Sequence, residues 1–512
     1  MSFEFNRISP EEAGVSSYQI LEFLNKLEEE GTEMHSMMLL KGDSIFAEGW
    51  WKPYNPDTEH ILFSFTKTLT STAIGFAVNE GVISLDDKLV DIFPDKLPEV
   101  ISDNLKKADV RSLLTMSCGH SNEIEAFGLP FDDFVKAFLA HPFEHEPNTY
   151  FMYNTAGTNM LCAILLRKTG EKLTDYLKPR LFDKLGMGDV YVANLPNGVP
   201  CGGAGGFLKT EQMARFIRFI ANRGTWNGER LLSQSWFDLA TTYQIDNTPT
   251  QKDPDWTKGY GFQFWCCVPD GVFRADGAFG QYGIVVPDKD MVFIFQSAST
   301  TMQDTLTVCW NHLLKYVSDK PLPEDKEAYS ALKYKLENLE INHPITKKNP
   351  QAKDLYDGLQ LILNEPVKKD LSEFIGGSGM LFAENRRRTK DIKTISSLTV
   401  RFGEKEIDLI TDFGEVLPIS MNSHFNSFEL NGHVYGAVGT WASSDTLEFL
   451  VYCASAASGT RYRLNFGEKP YLTSESSLAV GGPLGGGDPT TITFTKGENH
   501  DRTSDFTYYF GS

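Results

Sequence analysis

Phe63-Ser64-Phe65-Thr66-Lys67-Thr68-Leu69-Thr70-Ser71-Thr72-Ala73-Ile74-Gly75-Phe76-Ala77-Val78-Asn79-Glu80-Gly81 reads as one buried helix that begins at Ser64 and stops at Gly81. Apolar or small residues occupy most of its circumference, as in a helix packed on several sides. Gly81 suits the left-handed conformation that ends helices. Ser64 and Lys67 are three residues apart and share a helical face. A hydroxyl therefore stands beside an amine at the positive end of a helix dipole. Serine becomes a nucleophile only when a neighbouring base takes its proton. Lysine can be that base when desolvation or nearby positive charge lowers its pKa.

The pattern Ser-x-x-Lys alone has little specificity, and a chain this long should hold about two by chance. The second copy is Ser330-Ala331-Leu332-Lys333. It lies among Glu and Lys, where a solvated helix face is the better reading. The first lies in an apolar helix start, so context separates them.

At 512 residues the chain has material for two to four domains and a large core. Its net charge of −20 argues against nucleic-acid or anionic-membrane partners, which need a basic surface. Met1-Ser2-Phe3-Glu4-Phe5-Asn6-Arg7 lacks a basic stretch followed by an apolar core, so no signal peptide is expected. No apolar run reaches the ~18 residues of a membrane span. Seven scattered cysteines, with no zinc-type Cys-x-x-Cys pair, read as free buried thiols in a reducing cytoplasm.

Along the chain, residues 10–30 predict an amphipathic helix with Ile20, Leu21, Phe23, Leu24 and Leu27 on its apolar side. The runs Ser36–Leu40 and Ser44–Glu48, joined by Lys41-Gly42-Asp43, predict a hairpin. A short helix closing in a Gly turn is expected over Val110–His120. Tyr153 falls on a loop entering a helix that ends at Gly170. A tyrosine there can shuttle protons if a lysine stabilises its phenolate. The bland alternative is a core tyrosine with a bonded hydroxyl. The glycines of Cys201-Gly202-Gly203-Ala204-Gly205-Gly206 lack the spacing of a phosphate loop or dinucleotide fingerprint. They read as a tight backbone wall beside a pocket. His141-Pro142-Phe143-Glu144-His145 matches an inverted zinc-protease pattern. Pro142 opposes the helix that would align both histidines, so no metal is expected. Residues 258–298 carry strand signals with short turns and predict an antiparallel sheet. Phe279, Tyr282, Trp256 and Trp265 fit either an apolar pocket or the core.

Together these pieces resemble the serine β-lactamase and penicillin-binding-protein superfamily, in the large branch that includes carboxylesterases and D-amino-acid peptidases. The resemblance covers roughly residues 8–318. Ser64-Phe65-Thr66-Lys67 looks like the Ser-x-x-Lys motif. Leu113-Leu114-Thr115-Met116-Ser117-Cys118-Gly119 looks like Leu-Leu-Thr-His-Thr-Ser-Gly. Tyr153-Asn154-Thr155 stands at the Tyr-x-Asn motif. Leu181–Met187 resembles Leu-Phe-x-Pro-Leu-Gly-Met, and Gly202–Thr210 resembles Gly-Gly-Gly-Leu-x-Ser-Thr. The ordered set is far more specific than any member.

Two departures stand out. The third motif, Lys-Thr-Gly or His-x-Gly on the strand facing the nucleophile, is matched to Ala278-Phe279-Gly280, without its basic residue. Thr155 replaces the Asn that would bond a substrate amide. Both lean away from β-lactams and toward esters or small amides. Arg274 and Asp276 share a face with Ala278 on an unbroken strand. Arg274 is expected either near the pocket rim or in an exposed salt bridge with Asp276.

The resemblance implies an α+β fold, an antiparallel β-sheet flanked by helices. It implies acyl transfer with Ser64 as nucleophile and Lys67 and Tyr153 as general base and acid. The backbone N–H groups of Ser64 and Gln281 would form the oxyanion hole. Thr155, Ala278, Phe279, Gly280 and Arg274 would line the substrate site. No metal or organic cofactor is required. The substrate would be a small ester, amide or short peptide. A β-lactamase or D-Ala-type peptidase remains an alternative, and so does a non-catalytic binding or scaffold protein. A homo-oligomer is left open.

Past Ser318 the character changes. The expected division is a hydrolase domain over 1–318, a linker with a helix over 319–375 and an antiparallel β domain over 376–512, built as a sandwich or barrel. Gly481–Asp488 reads as a flexible loop late in that domain.

Overall fold

The helix-start residues quoted above are held against a sheet built from both ends of the first 300 residues. The structure is a computed structural model. It describes residues 3–125, 132–369, 371–375, 393–478 and 490–497. By its internal contacts the chain divides into two units, Met1–Glu340 and Ile341–Ser512.

The first unit is α+β. Its main sheet has seven strands, in the order Asn6–Arg7, Ser44–Trp50, Met34–Lys41, Met291–Ser297, Gln281–Val286, Phe273–Gly277, Trp265–Cys266. All neighbours are antiparallel except the first pair. The expected hairpin is present, with Lys41 opposite Ser44. The central register sets Phe295 opposite Met37 on one side and Tyr282 on the other.

Met34–Leu40, Gln281–Val286 and Met291–Ser297 are buried at every position, because helices cover both faces. On one face lie Ser17–Glu29, whose Phe23 ring is 5.8 Å from Phe295, and Met302–His312. On the other lies Thr210–Ala221. Helix Lys326–Glu337 also belongs to this unit, although its residues read from sequence as part of a linker. Ser330 and Lys333 lie on its exposed side, with Lys333 3.9 Å from Glu337.

Between the hairpin and the later strands, the described residues of 60–260 form helices joined by long loops. Their centre is Thr66–Asn79, buried from Thr66 to Ala77. Five hydroxyls in a buried helix need partners. Thr66, Thr68 and Thr72 bond back to the carbonyls of Phe63, Phe65 and Thr68, while Thr70 and Ser71 reach Gly202 O and Phe262 O. The side chains thus satisfy themselves on the backbone and stitch the helix to the glycine-rich wall and a loop.

In the second unit nine strands close into a barrel. They are Gln360–Val367, Ile395–Phe402, Glu406–Thr411, Val416–Ser420, His433–Trp441, Thr446–Cys453, Gly459–Asn465, Tyr471–Ser476 and Thr490–Lys496. The expected architecture was antiparallel throughout. The closing contact, Ser420 opposite Val438, is parallel. Alternation is plain in Glu406–Thr411, where Ile407, Leu409 and Thr411 point inward. The expected boundary at 376 and the loop Gly481–Asp488 lie outside the described residues. Among the described residues, no helix is long and apolar enough to cross a membrane.

Candidate active site

Ser64 does not open a regular helix turn. It sits in a 3-10 turn, Phe63–Phe65, and the α-helix starts at Thr66. Phe63 just before it has φ +46° and is almost fully buried. A bulky residue in that conformation costs of order ~1–3 kcal/mol and persists only where its surroundings impose it. The result is a sharp turn that leaves Ser64 half-buried, neither sealed in nor free in solvent.

One helical turn on, Lys67 is 1% exposed. Its Nζ lies 2.9 Å from Ser64 Oγ, 3.2 Å from Thr155 Oγ1 and 2.7 Å from Gly203 O. Burial pulls its pKa down to about 8, with the negative charge of Glu123 the largest opposing influence. The glycine-rich run thus forms a backbone wall, and its carbonyl fixes the lysine.

Tyr153 completes the group. Burial pushes its pKa well above the ordinary phenol value, opposed by the neighbouring Ser64 hydroxyl and helped by Asp276 and Glu123. Lys67 Nζ lies 4.8 Å from the centre of its ring. The ring stacks on Trp265 at 5.5 Å, and Trp265 belongs to a buried cluster with Met116, Phe151, Ile245 and Tyr260. The Leu113–Gly119 stretch supports this loop from below. Met116 O accepts from Met152 N at 2.8 Å, and Asn154 caps the helix Thr155–Thr169 while its amide reaches His120.

The structure therefore brings Ser64, Lys67, Tyr153 and Thr155 together. Other expectations need correction. Ala278-Phe279-Gly280 is not on a strand. It is the turn between Phe273–Gly277 and Gln281–Val286. The residue pressed against the nucleophile is Gly277: a Cβ there would stand 2.1 Å from Leu62 O and 3.1 Å from Phe65 N. At Gly280 a Cβ would instead meet Ser297 Oγ at 2.3 Å, in the sheet. The triplet facing Ser64 is thus Ala275-Asp276-Gly277. Sequence matching slipped by one triplet because glycine recurs at 277 and 280. Gln281 is fully buried opposite Gly277, and its side-chain amide donates to Ala278 O and Ser297 O.

Arg274 is neither at a rim nor exposed. It is fully buried. Its Nε donates to Asp276 Oδ2 at 2.7 Å, another N–H reaches Asp255 O at 2.9 Å, and the guanidinium lies 4.4 Å from the Trp256 ring centre. The shared face with Asp276 is real, but both side chains point into the interior. Of the four aromatic residues, Trp265 and Tyr282 are core and Trp256 packs on Arg274, while Phe279 stays half-buried on the turn, 5.3 Å from Phe63.

His141 and His145 have separate partners, Asn122 and Ser121. No cluster of three or more potential metal-ligating side chains occurs among the described residues. The seven cysteines are unpaired. The residue that sequence reading missed is Glu123. Its carboxyl accepts from Ala156 N at 2.8 Å, and desolvation of that carboxyl raises its pKa against the pull of Lys67. No local pattern marks it, since folding alone brings it to the start of the Tyr153 helix.

The beta-lactamase family model matches residues 24–314. The chain is 24% identical over 292 residues to the 6-aminohexanoate-dimer hydrolase of Paenarthrobacter ureafaciens, which covers 52% of this chain and 73% of that protein. It is 26% identical over 172 residues to the lovastatin esterase of Penicillium rubens, covering 29% of this chain and 43% of that protein. Among solved structures, a putative 6-aminohexanoate-dimer hydrolase from Bacillus anthracis superposes with a TM-score of 0.52 at 18% identity, over 63% of this chain and 89% of that one.

Proposed function

We propose that this chain, which belongs to the beta-lactamase family, is a serine hydrolase that cleaves ester or small amide bonds through an acyl-enzyme on Ser64. The observation that carries the reading is the 2.9 Å approach of a fully desolvated lysine amine to the Ser64 hydroxyl. Lys67, with a pKa lowered to about 8, is the base, and Tyr153, with its phenol held protonated, is the proton donor. Ser64 Oγ adds to the substrate carbonyl as its proton passes to Lys67. The tetrahedral adduct collapses, and Tyr153 protonates the leaving alcohol or amine while Lys67 restores the tyrosine proton. Water then repeats the sequence on the acyl-enzyme and frees Ser64.

The oxyanion needs two backbone donors, each worth roughly 3 kcal/mol in barrier height. Ser64 N–H is one. The packing of Gly277 on Leu62 and Phe65 supports Ala278 N–H, at the strand end, as the second in place of Gln281 N–H. The names of the similar proteins include one amide and one ester substrate, which fits the proposed range. A β-lactamase or D-Ala-type peptidase would need a cation for the substrate carboxylate. Arg274, the basic residue on the facing strand, is fully buried, paired with Asp276 and bonded to the Asp255 backbone carbonyl, with one Nη left without a partner.

A fluorophosphonate serine probe read by intact-protein mass spectrometry tests the proposal. One adduct, absent in Ser64→Ala, is the expected result. No adduct on folded wild-type protein would overturn it in favour of a binding or scaffold role.

A further inference from the structure

The glycine-rich wall holds Lys67 through one atom, the Gly203 carbonyl oxygen at 2.7 Å. That oxygen has no proton to give, so it always takes an N–H from the amine. Ser64 Oγ at 2.9 Å and Thr155 Oγ1 at 3.2 Å are hydroxyls, and each can accept or donate. A neutral amine has two N–H bonds and one lone pair. Gly203 O is therefore the one fixed member of its three neighbours. While it stays in place, the lone pair is confined to the side of the two hydroxyls, where Ser64 presents its proton.

The peptide unit just before that carbonyl, Gly202–Gly203, is held at both edges. Its oxygen, Gly202 O, accepts from Thr70 Oγ1 at 3.0 Å. Its nitrogen, Gly203 N, donates to Asn159 Oδ1 at 2.9 Å. Thr70 and Asn159 are both fully buried. Thr70 lies one turn after Lys67 on the helix Thr66–Asn79, and Asn159 lies one turn after Thr155 on the helix Thr155–Thr169. The wall is pressed onto both helices: a Cβ on Gly202 would stand 2.4 Å from Thr70 Oγ1, and one on Gly203 2.8 Å from Thr155 O. One peptide plane is thus bonded on opposite edges to the two helices that carry Lys67 and Thr155.

The geometry points to Thr70 and Asn159 as positioning residues: by clamping the Gly202–Gly203 peptide they aim the Gly203 carbonyl at Lys67 and keep the amine lone pair turned toward Ser64. Neither side chain touches a reacting atom. The inference rests on the acyl-transfer reading above and extends that site one helical turn deeper along each helix.

The test is the second-order rate of Ser64 labelling by a fluorophosphonate probe, measured from pH 6 to 10 for wild type, T70V, T70S, N159L and T70V/N159L. Releasing the carbonyl takes the fixed direction from the amine and an obligate acceptor from the ammonium form. T70V and N159L should each slow the plateau about tenfold, the worth of one hydrogen bond. Each should also move the acidic limb, set by Lys67 at about 8, to lower pH, because the ammonium form has lost an acceptor. T70S keeps the hydroxyl and should restore the wild-type profile. The double variant should be no slower than the slower single, since both substitutions free the same peptide. Slowing with an unmoved limb would overturn the inference, because the two bonds would then only hold the fold together. Multiplied effects in the double variant would overturn it as well, as would T70S labelling as slowly as T70V, or wild-type rates in T70V and N159L. Melting temperatures report folding, and if N159L does not fold, the near-isosteric T70V and its partner T70S decide the matter alone. Labelling that survives Ser64→Ala would instead sink the acyl-transfer reading, so the two failures are distinguishable.

Discussion

Gly277 and Leu62 meet without room for a side chain: a Cβ on Gly277 would lie 2.1 Å from the Leu62 carbonyl oxygen. The strand Phe273–Gly277 therefore ends directly against the turn that carries Ser64. Gly277→Ala must push the two apart. Ser64 labelling should fall at least tenfold, while far-UV circular dichroism stays that of the wild type. Undiminished labelling would show that this contact does not shape the site.

Lys67 must be neutral to accept a proton, and its pKa is lowered to about 8 by burial. The acylation rate should accordingly rise with pH through about 8 and level off above it, the reverse of a reaction needing the ammonium form. Lys67→Ala should cost roughly 10²–10⁴ in rate, the range of a positioned general base. A rate flat from pH 6 to 10 would exclude Lys67 as the titrating base.

Arg274 and Asp276 form an ion pair with both side chains shut off from water. Breaking it from one side leaves an uncompensated buried charge. Arg274→Met should destabilise the first unit by about 3–5 kcal/mol, and Arg274→Met with Asp276→Leu should recover a large part of that. Urea denaturation of Arg274→Met, Asp276→Leu and the double variant reads this directly. Simple additivity of the two substitutions would show that the charges do not act as a pair.

His35, His60 and His120 are buried, and burial lowers their pKa values, to about 3 for His35 and His120 and well below 6.5 for His60. The unfolded chain takes up protons near 6.5 that the folded chain refuses. Stability contributed by the neutral rings is complete above that pH and is lost as pH falls toward 3, at roughly 1.4 kcal/mol per pH unit for each histidine. Calorimetric melts between pH 7 and 4 should show that loss. A melting temperature independent of pH across this range would contradict burial of the rings in their neutral form.

Much of the fold was legible. The helix ending at Gly81, the Lys41–Ser44 hairpin and the all-β character of the chain's last third carry their periodicity in local order. Strand burial was not legible, since period-two alternation reports one covered face and the first unit's sheet has two.

The sequence by itself determined the hairpin, the helix ending at Gly81 and the pair Ser64 and Lys67, because residues three apart across a helical turn meet by local geometry. Only the tertiary structure decided which glycine faces the nucleophile, that Arg274 turns inward, and that the Glu123 carboxyl reaches Ala156 N–H at the helix start. Each of these depends on where segments far apart in the chain come to rest. That is set by packing and by the demand that buried polar groups find partners, and no local pattern encodes it.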